Sequence, residues 1–125
     1  MKLLLAAGLV TATLAIGCAL LEPGNPARIN TGLLVGPNGM TLYVFDRDSA
    51  HGGRSVCNGP CAGNWPPLLA SDNDKPVDDY TIITRDDGKK QWVKNGRPLY
   101  YWFRDARPGD TSGDSFMNVW HIARP

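Results

Sequence analysis

The chain has 125 residues and carries 13 Lys and Arg against 12 Asp and Glu, a formal net charge of +1. The basic residues are scattered rather than clustered, so the sequence lacks the positive surface that binds a phosphate backbone, and nucleic-acid binding is not expected. Glycine, proline, tryptophan and tyrosine are all frequent, a balance typical of short strands joined by tight turns. The length suits one domain with a modest core.

The amino terminus has the features of an export signal. Lys2 is followed by an apolar run over residues 3–16, which ends before the Glu-Pro-Gly of residues 22–24. This run is shorter than the roughly 20 residues of a membrane-spanning helix, and no basic flank follows it. We therefore predict a cleaved signal peptide over residues 1–17.

The residues that lead to Cys18 resemble the lipobox of bacterial lipoproteins, in which cleavage falls before the cysteine and its thiol receives lipid. The usual pattern has leucine three positions before the cysteine, whereas Leu14 lies four positions before it. Lipid on Cys18 removes the odd thiol of an exported protein and leaves Cys57 and Cys61 as a pair. An ordinary signal peptide, with Cys18 left over as a thiol, is the alternative.

These features predict a lipid-anchored protein of the bacterial cell envelope. Ala19 stands where an aspartate holds enteric-type lipoproteins at the inner membrane, so the outer membrane, facing the periplasm, is the predicted site. Residues 18–30 contain two prolines and no periodicity, and are predicted to form a tether. The expected partners are the membrane, through the palmitate-type anchor, and an unknown envelope protein.

Turn residues divide residues 31–125 into short strands. A first strand over residues 33–35 turns at Asn38-Gly39, a typical hairpin turn, and returns over residues 40–45. Both faces of this returning strand are apolar, so it is expected to pack on two sides. Residues 46–64, which hold the cysteines, are predicted to form a long ordered loop.

The second half of the chain predicts a three-stranded meander. Asp87-Gly88 and Asn95-Gly96 are strong hairpin turns between alternating runs. A polar loop over residues 104–115 precedes a last strand, and no segment shows helical periodicity over a useful length. The strands are predicted over residues 80–84, 90–93, 98–103 and 116–123.

The two halves share one pattern, a tyrosine, an aromatic residue two positions on, and an aspartate three positions after that. A tryptophan follows each copy after a polar loop. Residues two apart on a strand lie on one side, and an aspartate beyond the strand end is placed to accept hydrogen bonds from amides of the next loop. The first copy is Tyr43, Phe45, Asp48 and Trp65, and the second is Tyr100, Trp102, Asp105 and Trp120.

This pattern resembles that of the secreted-repeat family of predicted bacterial lipoproteins, which carries a Tyr-x-[Phe/Trp/Tyr]-x-x-Asp motif. The resemblance covers the chain from Leu33 onward, and the Ser-x-Cys-x-Gly-x-Cys-Ala-x-x-Trp-Pro-Pro segment at residues 55–67 is also similar to the family's. It implies a compartment and an architecture. It implies no reaction, because the family's function is not established.

Cys57 and Cys61 have three possible roles, namely a structural disulfide, a redox pair or metal ligands. Their spacing through Gly59 and Pro60 allows the α-carbons to approach to the roughly 4.4–6.8 Å of a disulfide. Thioredoxin-like redox pairs have two intervening residues and lie at a helix start, which this segment does not predict. A structural bridge is favoured outside the cytoplasm.

Other constellations give weaker hypotheses. Copper could use soft ligands, with His51, Cys57 and Cys61 as the candidate set, but no recognised spacing ties them together. A Cys57 and His51 dyad would lose its nucleophile if Cys57 pairs with Cys61. The motif aromatics fit a core, or a cleft for a quinone, a haem edge or a sugar. Further candidates for copper are His121, Met40 and Met117. A calcium cluster or paired acids could use Asp46, Asp48, Asp105, Asp110 and Asp114, but these match no EF-hand pattern, and loop capping is the common use of such aspartates.

The sequence thus predicts an all-β fold, a single small domain over residues 31–125 with two internal repeats built from hairpins and a meander, sandwich-like or partly open. We expect a non-catalytic envelope lipoprotein, acting as a structural or interaction module whose disulfide-pinned loop makes the contact. The alternative is a periplasmic redox or copper-handling accessory that uses Cys57 and Cys61, and no cofactor is expected otherwise.

Overall fold

The computed structural model describes residues 25–125. The predicted signal peptide, the lipidation of Cys18 and most of the tether lie outside the described residues. Within residues 25–125, no helix is long and apolar enough to cross a membrane.

Short strands and one-turn helices make up the fold, and every strand pairing is antiparallel. One sheet pairs β1 with β2, a second pairs β3 with β8, and a third has the order β4, β6, β5 with β7 also on β6. The described residues thus form small open sheets rather than a closed barrel, which confirms the all-β prediction. In chain order the elements are β1 Arg28–Asn30, β2 Leu33–Val35, β3 Tyr43–Phe45, α1 Asp46–Ala50, α2 Pro60–Asn64, β4 Leu69–Ala70, β5 Tyr80–Thr84, β6 Lys90–Lys94, β7 Arg97–Pro98, a 3₁₀ turn Phe116–Asn118 and β8 Trp120–Ile122.

The tether predicted to reach residue 30 is shorter than expected. Strand β1 lies inside that range and pairs with β2 through a tight turn at Thr31 and Gly32, both at positive φ. Ala27 is buried in the core just before the strand. The sequence missed this hairpin because its prolines lie upstream of β1, where they do not interrupt the pairing.

Two further predictions are corrected in the polar segments. The loop over residues 46–64 contains α1 and α2, which are too short to show a helical period. Pro60 opens α2 because its missing N–H costs nothing at the first helical turn. The last strand is confined to β8, since the chain before it forms the 3₁₀ turn with Met117 and Asn118 at positive φ.

The meander of β5, β6 and β7 is confirmed, but its third strand, predicted over residues 98–103, is limited to Arg97–Pro98 because the chain then leaves β6 and Tyr100 bridges to Tyr43 instead. Two cores lie on opposite sides of β3. Leu42 and Val44 face a leucine-rich cluster with Leu34, Leu68 and Leu99. Tyr43 and Phe45 face the opposite way into an aromatic cluster, as the two-residue period of a strand requires. The predicted two-sided packing of this strand is therefore confirmed.

Candidate functional site

The two repeats interlock rather than fold side by side. The motif tyrosines pair through their backbones, with N–H to O distances of 2.8 Å from Tyr43 to Tyr100 and 3.0 Å in return. In the β3–β8 pairing, Phe45 lies opposite Trp120 of the second repeat. The segment that holds the second motif likewise contacts the first repeat, since the Phe103 N–H donates to the Asn64 carbonyl at 3.0 Å. Each motif segment is thus bonded to the tryptophan segment of the other copy.

The motif tyrosines and aspartates are exchanged in the same way. The Tyr100 hydroxyl donates to Asp48 Oδ2 at 2.5 Å, and the Tyr43 hydroxyl donates to Asp105 Oδ2 at 2.7 Å. The second oxygen of each aspartate accepts a loop amide, that of Val56 at 2.8 Å in the first copy. In the second copy the Ser112 amide donates to Asp105 Oδ1 at 3.0 Å.

The expected capping of the following loop by each aspartate is therefore seen, but the cross-repeat tyrosine partner was missed. A buried phenol needs a hydrogen-bond acceptor. From the sequence, that requirement was the only indication that each tyrosine has a partner. It does not say which aspartate supplies the acceptor.

Four aromatic rings stack in a column that alternates between the repeats. Phe45 stacks on Trp120 with ring centroids 4.0 Å apart, Trp120 on Trp65 at 3.8 Å, and Trp65 on Trp102 at 4.0 Å. All four rings are buried, so they form core rather than an open cleft. Gly113 lies against this column, and a Cβ there would come within 2.8 Å of the Trp65 ring. Any residue larger than glycine at position 113 would clash with the Trp65 ring.

The aspartate of the first copy belongs to a buried polar network. The Arg85 guanidinium, fully buried, donates to Ser55 Oγ, Gln91 Oε1 and the Cys57 carbonyl, each at 2.9 Å. Ser55 lies 2.8 Å from the Tyr100 hydroxyl. Because the tyrosine proton goes to the aspartate, the serine donates to the tyrosine and accepts from the arginine.

Sequence reasoning missed Arg85, Gln91 and Ser55. Arginine is rarely buried, and nothing in the local pattern after β5 marks this one. The network could be found only by knowing which loop covers the sheet.

Burial raises the pKa values of Asp48 and of the two motif tyrosines. The pKa of Asp48 is raised, chiefly because burial disfavours its charge. The pKa values of Tyr43 and Tyr100 are raised well above the usual range by burial and by the neighbouring aspartates. Both phenols therefore stay protonated and act as donors at any physiological pH.

Cys57 and Cys61 form a disulfide with their α-carbons 5.2 Å apart. Cys57 is buried against the aromatic cluster, while Cys61 lies in α2 and is half-buried. The expectation that no helix begins near the pair is therefore wrong, although α2 has a single turn. Copper binding by His51, Cys57 and Cys61 would need free thiols, and the disulfide bond occupies both of them.

The remaining candidate ligands are dispersed. His51 Nδ1 contacts the Arg47 carbonyl at 2.8 Å, and His121 Nε2 contacts Asp46 Oδ2 at 2.9 Å. No group of three or more His, Cys, Asp and Glu side chains in residues 25–125 is arranged to hold a metal ion. Two other aspartates cap loops. Asp110 accepts the amides of Ala106 and Arg107, and Asp114 accepts that of Ile122.

Two interlocked copies of one motif define a repeat protein with a shared core. A family model described as a secreted repeat of unknown function matches residues 31–69 and 81–124, and the chain belongs to this family. Each matched segment holds one tyrosine, aspartate and tryptophan set, so the predicted family and its two repeats are confirmed. Neither the search of curated proteins nor that of solved structures finds a match.

Proposed function

We propose that this protein is a non-catalytic interaction module of the bacterial cell envelope. The observation that supports it is the reciprocal exchange between Tyr43 and Asp105 and between Tyr100 and Asp48. A general base must reach a substrate proton with a free lone pair, whereas these carboxylates are occupied by phenols and loop amides. The motif serves the fold, and function falls to the surfaces that the fold presents.

The contact surface that we propose combines the end of the disulfide-pinned loop with an aromatic patch, defined as Phe103, Phe116 and Met117. Phe103 is 51% exposed and Met117 is 77% exposed. Asn64, at the end of α2, lines a cavity of about 410 Å³ together with Phe103 and Phe116. Contiguous exposed apolar patches are typical of interaction sites, and here Phe103 and Phe116 are adjacent because they line the same cavity.

The backbone around the patch supports this assignment. Ser115, Met117 and Asn118 adopt left-handed φ values of 65°, 50° and 60°, which cost free energy in residues other than glycine. Strain of this kind persists where surrounding structure and function require it. The turn exposes Met117 and leaves Phe116 partly exposed at the edge of the buried rings, 4.9 Å from Trp102 between ring centroids.

Site-specific photocrosslinking in the native envelope tests the contact. A photoreactive phenylalanine analogue replaces Phe103, and in a matched control it replaces Leu69 of β4, which is 49% exposed. We expect one discrete adduct from position 103 and none from position 69. The same adducts from both positions, or none from position 103, would contradict the proposed patch.

We further propose that lipid on Cys18 anchors the module to the outer membrane, facing the periplasm. The lipobox-like residues before Cys18 and the secreted description of the family support this. Labelled palmitate should be incorporated into the wild-type chain and not into C18S, which should leave the membrane fraction. Equal labelling of both chains would exclude Cys18 as the acceptor.

The redox or copper-handling alternative is tested on the mature chain carrying C18S, purified from an oxidising compartment without reductant or chelator. Native mass spectrometry should show Cys57 and Cys61 oxidised and nothing bound. A copurified copper ion, or cysteines that arrive reduced, would replace the interaction proposal with the alternative.

A further inference from the structure

A cavity of about 500 Å³ lies at the end of the β6–β7 hairpin, where three cationic side chains surround an apolar wall. We call it the basic cavity. Its wall includes Val44 and Leu99, both buried in the core. The residues that define it here are Val44, Lys94, Arg97, Leu99, Ile122 and Arg124.

The lining of the basic cavity includes Lys94, Arg97 and Arg124 and no acidic side chain, although acids outside the lining pair with two of its residues. Among residues 25–125, Arg97 and Arg124 make no ion pair, while Lys94 Nζ lies 3.1 Å from Asp79 Oδ2 at the edge. His121, also on the wall, lies 2.9 Å from Asp46. The two free guanidiniums therefore face a space with unmatched positive charge.

The hairpin itself carries a like-charge pair. Lys94 and Arg97 are direct partners across the turn at Asn95 and Gly96, and like charges opposite one another destabilise a strand pair. Neither side chain is part of the core network. Asp79 already pairs with Lys94, so the charge of this pair that lacks an acidic partner among residues 25–125 is that of Arg97. An anion in the cavity would neutralise it.

The basic cavity lies on the face where the tether joins the domain. An adjoining cavity of about 680 Å³ shares Lys94 and Pro125 with it and is lined by Asn25, the first described residue, and by Arg28. Residues 18–24 can span at most about 25 Å, at roughly 3.6 Å each. A membrane reached through this tether is therefore within close range of the cavity.

We propose that the basic cavity binds the phosphate of an anionic phospholipid headgroup, with the guanidiniums on the phosphate and the half-buried Ile122 against the glycerol. This proposal rests on the proposed anchoring at Cys18, which brings the membrane to this face. Guanidinium groups suit phosphate oxygens because they donate in a planar fork. Binding holds the domain in one orientation on the membrane.

Net charge does not supply this attraction. The only charged residue of the predicted signal peptide is Lys2, so the mature chain carries as many basic as acidic residues. Any preference for anionic vesicles must come from a local cluster. Each Arg or Lys near an anionic membrane contributes about a fivefold gain in partitioning, so two of them contribute roughly thirtyfold.

The test uses the unlipidated mature chain carrying C18S, so that vesicle binding cannot come from the acyl anchor. Sedimentation with phosphatidylcholine vesicles, with and without phosphatidylglycerol, measures partitioning. The test pair is Arg97→Gln with Arg124→Gln. The control pair, Arg47→Gln with Arg107→Gln, removes the same charge from exposed residues that line neither cavity.

We expect binding only to vesicles with phosphatidylglycerol, a loss of roughly thirtyfold in the test pair, and a loss of less than about threefold in the control pair. Equal losses in both pairs, or no preference for phosphatidylglycerol, would overturn the proposal. Failure of the palmitate experiment does not affect this readout, since no lipid is attached to the chain used here.

A second measurement does not depend on the variants. Short-chain phosphatidylglycerol should shift the wild-type backbone amide resonances of Asn95 and Arg124 in NMR spectra, and should do so at lower concentration than inorganic phosphate. If inorganic phosphate acts at the same concentration, the site binds a free anion and the headgroup assignment is wrong. If neither shifts these resonances, the cavity binds no phosphate.

Discussion

The same tyrosine and aspartate pair occurs twice in this protein, in two different surroundings. We call each tyrosine and aspartate pair a node. In the first node, Asp48 accepts from Tyr100 and is 1% exposed. In the second node, Asp105 accepts from Tyr43 but is half-buried, and its other oxygen accepts from Ser112 near the surface. The hydrogen bonds are alike, whereas the access of water is not.

The difference comes from what covers each node. The first node lies beneath the cysteine loop and is linked through Ser55 to Arg85, which follows β5. In the second repeat a shorter polar loop closes over Asp105, and no described arginine is buried beside it. Buried charges are costly to leave unpaired, so the first node should determine stability more than the second.

Removing the buried arginine is expected to have the largest effect. Arg85→Met leaves Ser55, Gln91 and the Cys57 carbonyl without their donor and Asp48 without a nearby positive charge. The loss should be about 3–5 kcal/mol in the free energy of unfolding, measured by urea denaturation. Arg54→Met, on the surface, should cost about 0.5 kcal/mol or less. Similar losses for the two variants would show that the buried hydrogen bonds of Arg85 do not stabilise the fold.

The two tyrosines offer a matched comparison of the nodes. Tyr100→Phe leaves Asp48 and Ser55 underbonded in the core and should cost about 2–3 kcal/mol. Tyr43→Phe removes the acceptor of the Gly113 amide and one donor to Asp105, which is already half-buried, and should cost about 1 kcal/mol. Both variants keep the aromatic ring, so packing is preserved. Denaturation of both in one buffer measures the difference. Equal losses would show that burial does not distinguish the nodes.

The disulfide should contribute less than Arg85 to the free energy of unfolding. Bonding Cys57 to Cys61 closes a short loop, and replacing both cysteines by serine should cost about 2 kcal/mol. The variant should remain folded with its tryptophan near-UV circular dichroism intact, because the aromatic column does not depend on the bond. Collapse of that signal would show that the bond organises the core.

The smallest expected effect is in the pH dependence of the first node. Burial raises the pKa of Asp48 above 3.8 in the folded state, so its contribution to stability is fully present below that pH and is lost as pH rises through the raised pKa. Asp48→Asn does not titrate. The deficit of this variant relative to wild type should therefore be larger in acid than at neutral pH. A stability loss in Asp48→Asn that grows toward neutral pH would show that folding lowers the pKa of Asp48 instead of raising it.

The parts of the fold that sequence predicted are those set by neighbouring residues. The Asn95 and Gly96 turn forms with both residues at positive φ, and the alternation of Leu42 with Tyr43 placed them on opposite faces. The loop capping by Asp48 and Asp105 followed from their position after a strand. Each of these depends on backbone geometry over a few residues.

The parts that sequence missed depend on distant partners. Tyr43 and Asp105 are 62 residues apart, and Tyr100 and Asp48 are 52 apart. A pairing of each tyrosine with its own aspartate would satisfy the same donors and acceptors. The burial of Arg85 had no local signal, because it depends on a loop that folds over the sheet from 30 residues away.

By itself, the sequence determined that there are two copies of one motif, that strands alternate with tight turns, and that Cys57 and Cys61 lie within reach of one another. That the copies exchange their partners, and that one aspartate is buried beside Arg85, became clear from the folded structure. A buried polar group requires a hydrogen-bond partner, but its own sequence does not say which residue supplies it. The packing of the aromatic column, with Trp65 stacked on Trp120, brings each tyrosine to the aspartate of the other repeat.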